Sequence, residues 1–358
     1  HSLRANAGIV ISASHNAYQD NGVKFFSSAG MKLSDEMERE IESVMQKPMR
    51  MKSSCHLGHV ETLVDAAGRY IEFCKSTFPL QLDLNGLKMV VDCANGAAFE
   101  IAPKVFHELG AEVVSIFHRP DGVNINLDCG AVHLHSLQQA VVEHHADVGV
   151  AFDGDADRLM MVDHRGEIVD GDQILCILAK DSSTGINSRG GVVGTLMSNL
   201  GLEQSLLSAG VEFVRTKVGD RYVLEELLKR NWTLGGESSG HIVNLDYTTT
   251  GDGIISALQV LRIMQMTASS LSTLKQSMNK CPQVMINVPL YDDVQLENYP
   301  DIRKMIVDFE RKLGDSGRLL VRQSGTERCI RVMAEGQDVV QVRQVVSELA
   351  ARIESVLT

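Results

Sequence analysis

Val148-Gly149-Val150-Ala151-Phe152-Asp153-Gly154-Asp155-Ala156-Asp157-Arg158 runs an unbroken apolar stretch into three carboxylates on alternate residues and then an arginine. The apolar half reads as a β-strand and the acidic half as the loop that leaves it. Three aspartates within five positions repel one another, and a hard divalent cation among their oxygens cancels that repulsion. A calcium EF-hand loop also opens Asp-x-Asp-x-Asp, but it requires glycine at its sixth position and glutamate at its twelfth. This chain has Arg158 and His164 there, so the EF-hand reading fails. Two internal controls separate the loop from ordinary aspartate turns. Asp170-Gly171-Asp172 and Gly251-Asp252-Gly253 each precede an apolar run, read as helix N-termini capped by aspartate, and lack the third carboxylate. Asp153, Asp155 and Asp157 are therefore the candidate metal ligands, with magnesium favoured because a site of few carboxylates completed by phosphate oxygens suits it.

The same pattern, an apolar run ending in small polar residues, recurs at 8–16, 87–96 and 191–199. Stretches 35–45, 98–109, 134–144 and 218–229 place apolar residues at three-to-four spacing and predict helices between the strands. Alternating strands and helices make the body an α/β fold, in which ligands gather beyond the carboxyl ends of the strands, where these polar loops lie. After Cys281-Pro282 the succession changes to an extended run at 285–289, a helix at 300–313, strands at 318–322 and 330–334, and a last helix at 339–356. That order predicts a smaller α+β domain. The expected division is 1–66, 67–165, 166–282 and 283–358: three α/β domains with mixed sheets, the first of them incomplete, and the C-terminal one. The first is expected to be incomplete because the chain enters a strand at Ala7 with almost no lead-in.

The 358 residues, 44% hydrophobic and 22% charged, suit a soluble globular protein of two to four domains. A formal charge of -12 with no basic run excludes nucleic acid as a partner, and an anionic substrate needs a local basic pocket. No apolar stretch approaches bilayer length, so no membrane partner is expected. Seven cysteines, scattered singly without a C-x-x-C pair, read as reduced thiols of a cytoplasmic protein. The twelve histidines, including His133, His135, His144 and His145, have no convincing ligand spacing and read as surface polar groups.

Three further loops carry chemistry. Ser12-Ala13-Ser14-His15-Asn16 leaves a strand and leads to Lys24; a serine beside a histidine is a weak signal by itself, and no Gly-x-Ser-x-Gly motif accompanies it. Gly235-Gly236-Glu237-Ser238-Ser239-Gly240-His241 sets a carboxylate, hydroxyls and an imidazole on a glycine-rich bend; such a loop can chelate vicinal sugar hydroxyls, and a plain turn explains it equally well. Arg322-Gln323-Ser324-Gly325-Thr326-Glu327-Arg328, with Arg331 beyond it, supplies guanidinium forks, hydroxyls and glycine amides that match phosphate oxygens. A serine, a magnesium cradle, a hydroxyl reader and a phosphate clamp together point to phosphoryl transfer on a sugar phosphate, which needs positioning and charge neutralisation more than covalent machinery.

These motifs, with Arg215-Thr-Lys-Val-Gly-Asp-Arg-Tyr-Val223 and Thr249-Thr-Gly-Asp-Gly253, resemble in order and content the α-D-phosphohexomutase family, nearest its bacterial amino-sugar members, from Ala7 to the C-terminus. The resemblance implies four domains around a central cleft, three of related α/β form and a smaller α+β fourth. It implies that Ser14 is a phosphoserine, and that glucosamine 6-phosphate and glucosamine 1-phosphate interconvert through a 1,6-bisphosphate, supplying UDP-N-acetylglucosamine for the cell wall. It further implies Mg²⁺ held by Ser14, Asp153, Asp155 and Asp157, a hexosamine or hexose 1,6-bisphosphate as activator, and a monomer or homodimer. Lys24 would be the general base, its pKa lowered by Arg158 and the metal, with His15 and Arg158 supporting the transferring group. Glu237, Ser239 and His241 would read the sugar, Lys217 would lie near it, and Arg322, Ser324, Gly325, Thr326 and Arg331 would hold the non-reacting phosphate. The sequence departs from the family at Ala17, Gln323 and Arg328, where proline is usual, and in carrying no Gly-Thr-Asp-Gly-Ile-Arg-Gly segment, so the first domain is expected to lack its N-terminal part. Competing expectations are glucose or mannose 6-phosphate as the sugar, a magnesium-dependent phosphatase, and an inactive fragment that only binds sugar phosphates.

Overall fold

The computed structural model describes residues 3–181, 190–290, 299–323 and 328–357. Four sheets follow one another along the chain. The first is a hairpin of β1 (Ala7–Ser12) and β2 (Gly22–Ser27). The second contains β3 (Lys88–Asp92), β4 (Glu112–Ile116), β5 (Val148–Phe152), β6 (Leu159–Asp163) and β7 (Ile168–Val169) in the order β4-β3-β5-β6-β7. The third contains β8 (Val192–Thr195), β9 (Phe213–Thr216), β10 (Leu234–Gly236) and β11 (Ile242–Asn244) in the order β11-β10-β8-β9. The fourth is antiparallel: β12 (Gln283–Pro289) and β13 (Gly317–Gln323) flank β14 (Cys329–Gly336).

The second and third sheets repeat one plan. In each, the first strand pairs in parallel with the second and the third, and the third turns back antiparallel into the fourth. The acidic loop after β5 and the glycine-rich loop after β10 therefore occupy the same topological position, the tip of the third-to-fourth hairpin. The Ser14 loop is likewise the tip of an antiparallel hairpin. All three lie at carboxyl ends of strands, as expected for ligand loops in mixed α/β sheets.

β5 is buried at every residue, which explains why it shows no polar alternation. The helix Gly253–Thr267 is buried continuously through Met264, as a helix surrounded by sheets must be. It joins the second and third sheets in one core that reaches from Ile71 to Met278 and includes Phe152, Leu159, Met161 and Leu258. Each such side chain contributes roughly 1.5–3 kcal/mol by leaving water. The C-terminal sheet has its own core with the helices Pro300–Leu313 and Val339–Leu357, built on Ile302, Phe309, Val332 and Leu349. Both aspartate controls behave as read: Asp170 caps Gly171–Ala179 in a reciprocal box with Gln173, and Asp252 caps Gly253–Thr267 by accepting from the Ile255 amide. Among residues 3–65 only Ala13 is buried, and Ile9 and Ile11 of β1 are 65% and 75% exposed. The first hairpin is thus held chiefly where its tip meets the rest of the molecule. Among the described residues no single helix is long and apolar enough to cross a membrane.

Candidate active site

The tip of the first hairpin rests on the metal loop. The Ser14 carbonyl accepts from the Gly154 amide at 3.0 Å and from Asn126 Nδ2 at 2.8 Å, and Asn126 Nδ2 also donates to the Asn16 carbonyl at 2.7 Å. A side chain at residue 154 has no room, since a Cβ there would stand 2.5 Å from the Ser14 oxygen. Ser14 has a φ of 50°, a left-handed conformation uncommon outside glycine, and its amide is held by Ser12 Oγ at 2.8 Å. The turn aims Ser14 Oγ at the carboxylates: it donates to Asp153 Oδ2 at 3.4 Å and lies 3.3 Å from His15 Nδ1.

Asp153, Asp155 and Asp157 each offer an oxygen within 4.8 Å of the others. Asp153 is fully buried, and burial, reinforced by Asp157 and Asp155, pushes its carboxyl up to about 7. The backbone N–H of Arg158 donates to Asp153 Oδ1 at 3.1 Å, and its Nε is 3.9 Å from Oδ2. Lys24, reaching in from β2, bridges Asp155 at 2.5 Å and Asp157 at 3.3 Å. Among the described residues Asp155 Oδ1 is buried without a hydrogen bond, and Asp157 Oδ1, also buried, meets His241 Nδ1 at 3.4 Å. One orphaned acidic oxygen and a second with a single long contact, beside a fully buried third carboxylate, are the donor set a hard divalent cation requires, so these residues fit magnesium.

At Lys24 burial lowers the pKa, but the Asp157 and Asp155 carboxylates outweigh burial and the net shift is upward; the fall expected of a base therefore depends on a cation neutralising those carboxylates. His15 is lowered by burial and by Arg158.

The glycine-rich loop packs directly against the metal loop. Arg158 and His241 form an isolated antiparallel bridge, and the Leu159 amide donates to the Gly240 carbonyl at 3.0 Å. Gly240, at φ 92°, permits this approach; a Cβ there would meet the Leu159 oxygen at 2.1 Å. His241 is buried between two carboxylates, with Nδ1 3.4 Å from Asp157 and Nε2 3.7 Å from Asp220. Burial alone lowers its pKa, yet Asp157, Asp220 and Glu237 raise it overall. Glu237 Oε1 accepts the Gly219 amide at 2.9 Å, which ties the carboxylate of the glycine-rich loop to the 215–223 motif. Ser239 Oγ is buried and has no hydrogen-bond partner among the described residues. The 249–253 motif closes the back of the site: the Gly253 amide donates to the Ala156 carbonyl at 2.9 Å, Thr249 Oγ1 to the Gly30 carbonyl at 2.9 Å, and Tyr70 Oη to Asp252 Oδ2 at 2.5 Å.

Ser14, His15, Lys24, Arg158, the three aspartates and His241 are thus gathered at one place, with Glu237 and Ser239 on the adjoining loop. Lys217 is exposed just beyond β9, its Nζ 5.7 Å from the Tyr222 ring. Arg322 and Arg331 face each other across β13 and β14, and Arg322 Nε is buried without a partner among the described residues. Ser324, Gly325 and Thr326 lie outside the described residues. Sequence reasoning missed Asn126, Asp220 and Tyr70; only Asp220 stood in a quoted motif.

Known proteins match nearly the whole chain. The four phosphoglucomutase/phosphomannomutase family models are found in order: alpha/beta/alpha domain I at 1–51, domain II at 68–166, domain III at 170–281 and the C-terminal domain at 285–352. A phosphoglucosamine mutase of Coxiella burnetii is 58% identical over 355 residues, covering 99% of this chain and 80% of the relative. One of Pseudomonas aeruginosa is 53% identical over 354 residues, with 99% and 80% coverage. The chain thus spans about 80% of the length of these relatives. The expectation that the first domain lacks its N-terminal part gains no support, because the domain I model is found at 1–51. Among solved structures, a phosphoglucomutase/phosphomannomutase family protein of Burkholderia thailandensis superposes with a TM-score of 0.79 at 23% identity, covering 98% of this chain and 76% of that one. Aspergillus fumigatus N-acetylphosphoglucosamine mutase, solved with GlcNAc-6P and magnesium, superposes at 0.77 with 17% identity, covering 99% and 91%. At such identities the superpositions speak for the fold, while the curated relatives and the four domain models speak for descent. The chain belongs to the phosphoglucomutase/phosphomannomutase family.

Proposed function

We propose that the chain is a phosphoglucosamine mutase in which Ser14 carries the transferred phosphoryl group. The observation that carries this reading is the 3.4 Å approach of Ser14 Oγ to Asp153 inside the acidic cluster, in a chain 58% identical to a phosphoglucosamine mutase. In the forward half-reaction, O1 of glucosamine 6-phosphate attacks phosphoserine 14; the new P–O1 bond forms as the P–O bond to Ser14 breaks, and the O1 proton leaves to a base. The 1,6-bisphosphate then turns over; Ser14 Oγ bonds the 6-phosphoryl group as the P–O6 bond breaks, O6 takes up the proton the base held, and glucosamine 1-phosphate departs. Asp153, Asp155 and Asp157, with an oxygen of the Ser14 phosphate, would hold Mg²⁺. What the cation supplies when bound is neutralisation of charge at the phosphoryl oxygens and at the carboxylates that now keep Lys24 protonated. Lys24 would then serve as the base, His15 and Arg158 would steady the transferring group, and Glu237, Ser239 and His241 would read the sugar. Lys217, Arg322, Ser324, Gly325, Thr326 and Arg331 would complete the grip on the substrate.

The working division of the chain is 1–66, 67–165, 166–282 and 283–358, supported by the breaks between sheets, and the cytoplasm is the compartment that suits seven cysteines scattered without a C-x-x-C pair. The test is product identity. Incubated with glucosamine 6-phosphate, Mg²⁺ and a trace of glucose 1,6-bisphosphate, the chain should form glucosamine 1-phosphate without releasing inorganic phosphate. Release of free phosphate would mark a phosphatase, and binding without conversion a binding protein.

A further inference from the structure

The fourth sheet carries two cross-strand pairs, Arg318 opposite Glu335 and Arg322 opposite Arg331. Residues four apart on a strand share a face, so both pairs point the same way, about 13 Å apart at ~3.3 Å per residue. Two arginines directly opposite each other repel, which makes the second pair suited to an anion.

The first pair is docked on the third sheet. Arg318 bonds Glu335 Oε2 at 3.0 Å and donates to the Leu196 carbonyl at 2.9 Å and the Ser198 carbonyl at 3.2 Å. Glu335, fully buried, accepts the Leu200 amide at 3.0 Å. From the other side, Arg215 donates to the same Ser198 carbonyl at 2.5 Å and is braced by Glu203 at 2.9 Å. Arg215 belongs to the motif that carries Lys217. Asn199, between these contacts, exchanges hydrogen bonds of 3.0 and 2.9 Å with Cys281, where the third domain model ends.

We infer that Arg318 and Glu335 are the pivot that sets the angle of the Arg322 and Arg331 phosphate grip against the third sheet, making them positioning residues for the sugar phosphate. The inference rests on the reading of Arg322 and Arg331 as that grip. β13 and β14 are already paired along their length, so Arg318 adds little to the sheet itself; its contacts to Leu196 and Ser198 fix the sheet's orientation. Over a lever of about 13 Å, a tilt of about 5° moves the grip by about 1 Å, enough to lose up to ~10²-fold in productive binding.

The test is a double-mutant cycle on the full chain, reading glucosamine 6-phosphate affinity by calorimetry and KM by turnover, with thermal melting as a fold control. Arg318→Gln and Glu335→Gln should each weaken binding about tenfold to a hundredfold, with kcat falling less, and Arg318→Lys should recover part of the loss. Once Arg322→Gln has removed the grip, Arg318→Gln should add little further loss. Full additivity, or affinity unchanged in folded Arg318→Gln and Glu335→Gln proteins, overturns the pivot while leaving the mutase reading intact. If the unmodified chain binds no glucosamine 6-phosphate, that reading falls and the pivot with it.

Discussion

Replacing Gly154 by alanine tests whether the closeness of the serine and metal loops matters to the reaction. The new methyl would lie 2.5 Å from the Ser14 carbonyl oxygen, 2.7 Å from Ile125 Cδ1 and 2.9 Å from Asn126 Nδ2. Ordinary contact begins near 3.4 Å, so the Ser14 backbone must retreat by about 0.9 Å, and Asn126, which bonds that carbonyl and crowds the same methyl, must move with it. The retreat lengthens the 3.0 Å bond from the Gly154 amide and draws Ser14 Oγ away from Asp153. A displacement near 1 Å in a reaction governed by positioning lowers the rate by about 10²-fold, close to 2.7 kcal/mol of barrier. Overpacking lowers stability by about 1–3 kcal/mol. The three aspartates are untouched, so Mn²⁺, used as a spectroscopic stand-in for magnesium, should still bind. Initial rates of glucosamine 1-phosphate formation, Mn²⁺ titration and thermal melting on one preparation separate these effects. A folded, Mn²⁺-binding Gly154→Ala protein that turns over at the parent rate would refute the reasoning.

Two further predictions concern the groups behind the site. The Asp153 carboxyl is pushed up to about 7 by burial and its acidic neighbours, whereas an unfolded aspartate titrates near ~3.9. Between those values the folded state holds a proton that the unfolded chain has lost, so in EDTA stability should fall as pH rises from about 4 to about 7, and Asp153→Asn should flatten that slope in urea unfolding. Mn²⁺ binding, which needs the ionised carboxylate, should tighten over the same rise in the parent protein; a pH-independent affinity contradicts the assignment. Tyr70→Phe leaves the buried Asp252 Oδ2 without its donor and should lower stability by about 1–3 kcal/mol, read as a lower urea midpoint at unchanged slope. An unmoved midpoint means that the bond contributes nothing.

Local chemistry made much of this legible in the chain. The helix at 35–45 begins and ends where its spacing placed it, because Ser34 caps it and three acids fill its first turn. The acidic loop announced itself because no helix cap needs three carboxylates. The direction of the Lys24 shift was not legible, since it depends on Asp155 and Asp157, more than 130 residues away in sequence. Asn126 was invisible for the same reason: nothing near it in sequence shows that it holds the Ser14 carbonyl, 112 residues distant. The shared plan of the second and third sheets was expected only through family resemblance, because the repeat is one of strand order rather than of residues.

The central claim is that Ser14 is the residue through which phosphate passes. Intact-mass measurement of the parent chain and of Ser14→Ala, before and after incubation with glucose 1,6-bisphosphate and Mg²⁺, tests it directly. The account predicts that the parent gains the mass of a single phosphoryl group, located at Ser14 by fragmentation and lost again on adding glucosamine 6-phosphate, while Ser14→Ala gains none and forms no glucosamine 1-phosphate. A phosphorylated, active Ser14→Ala protein would contradict it.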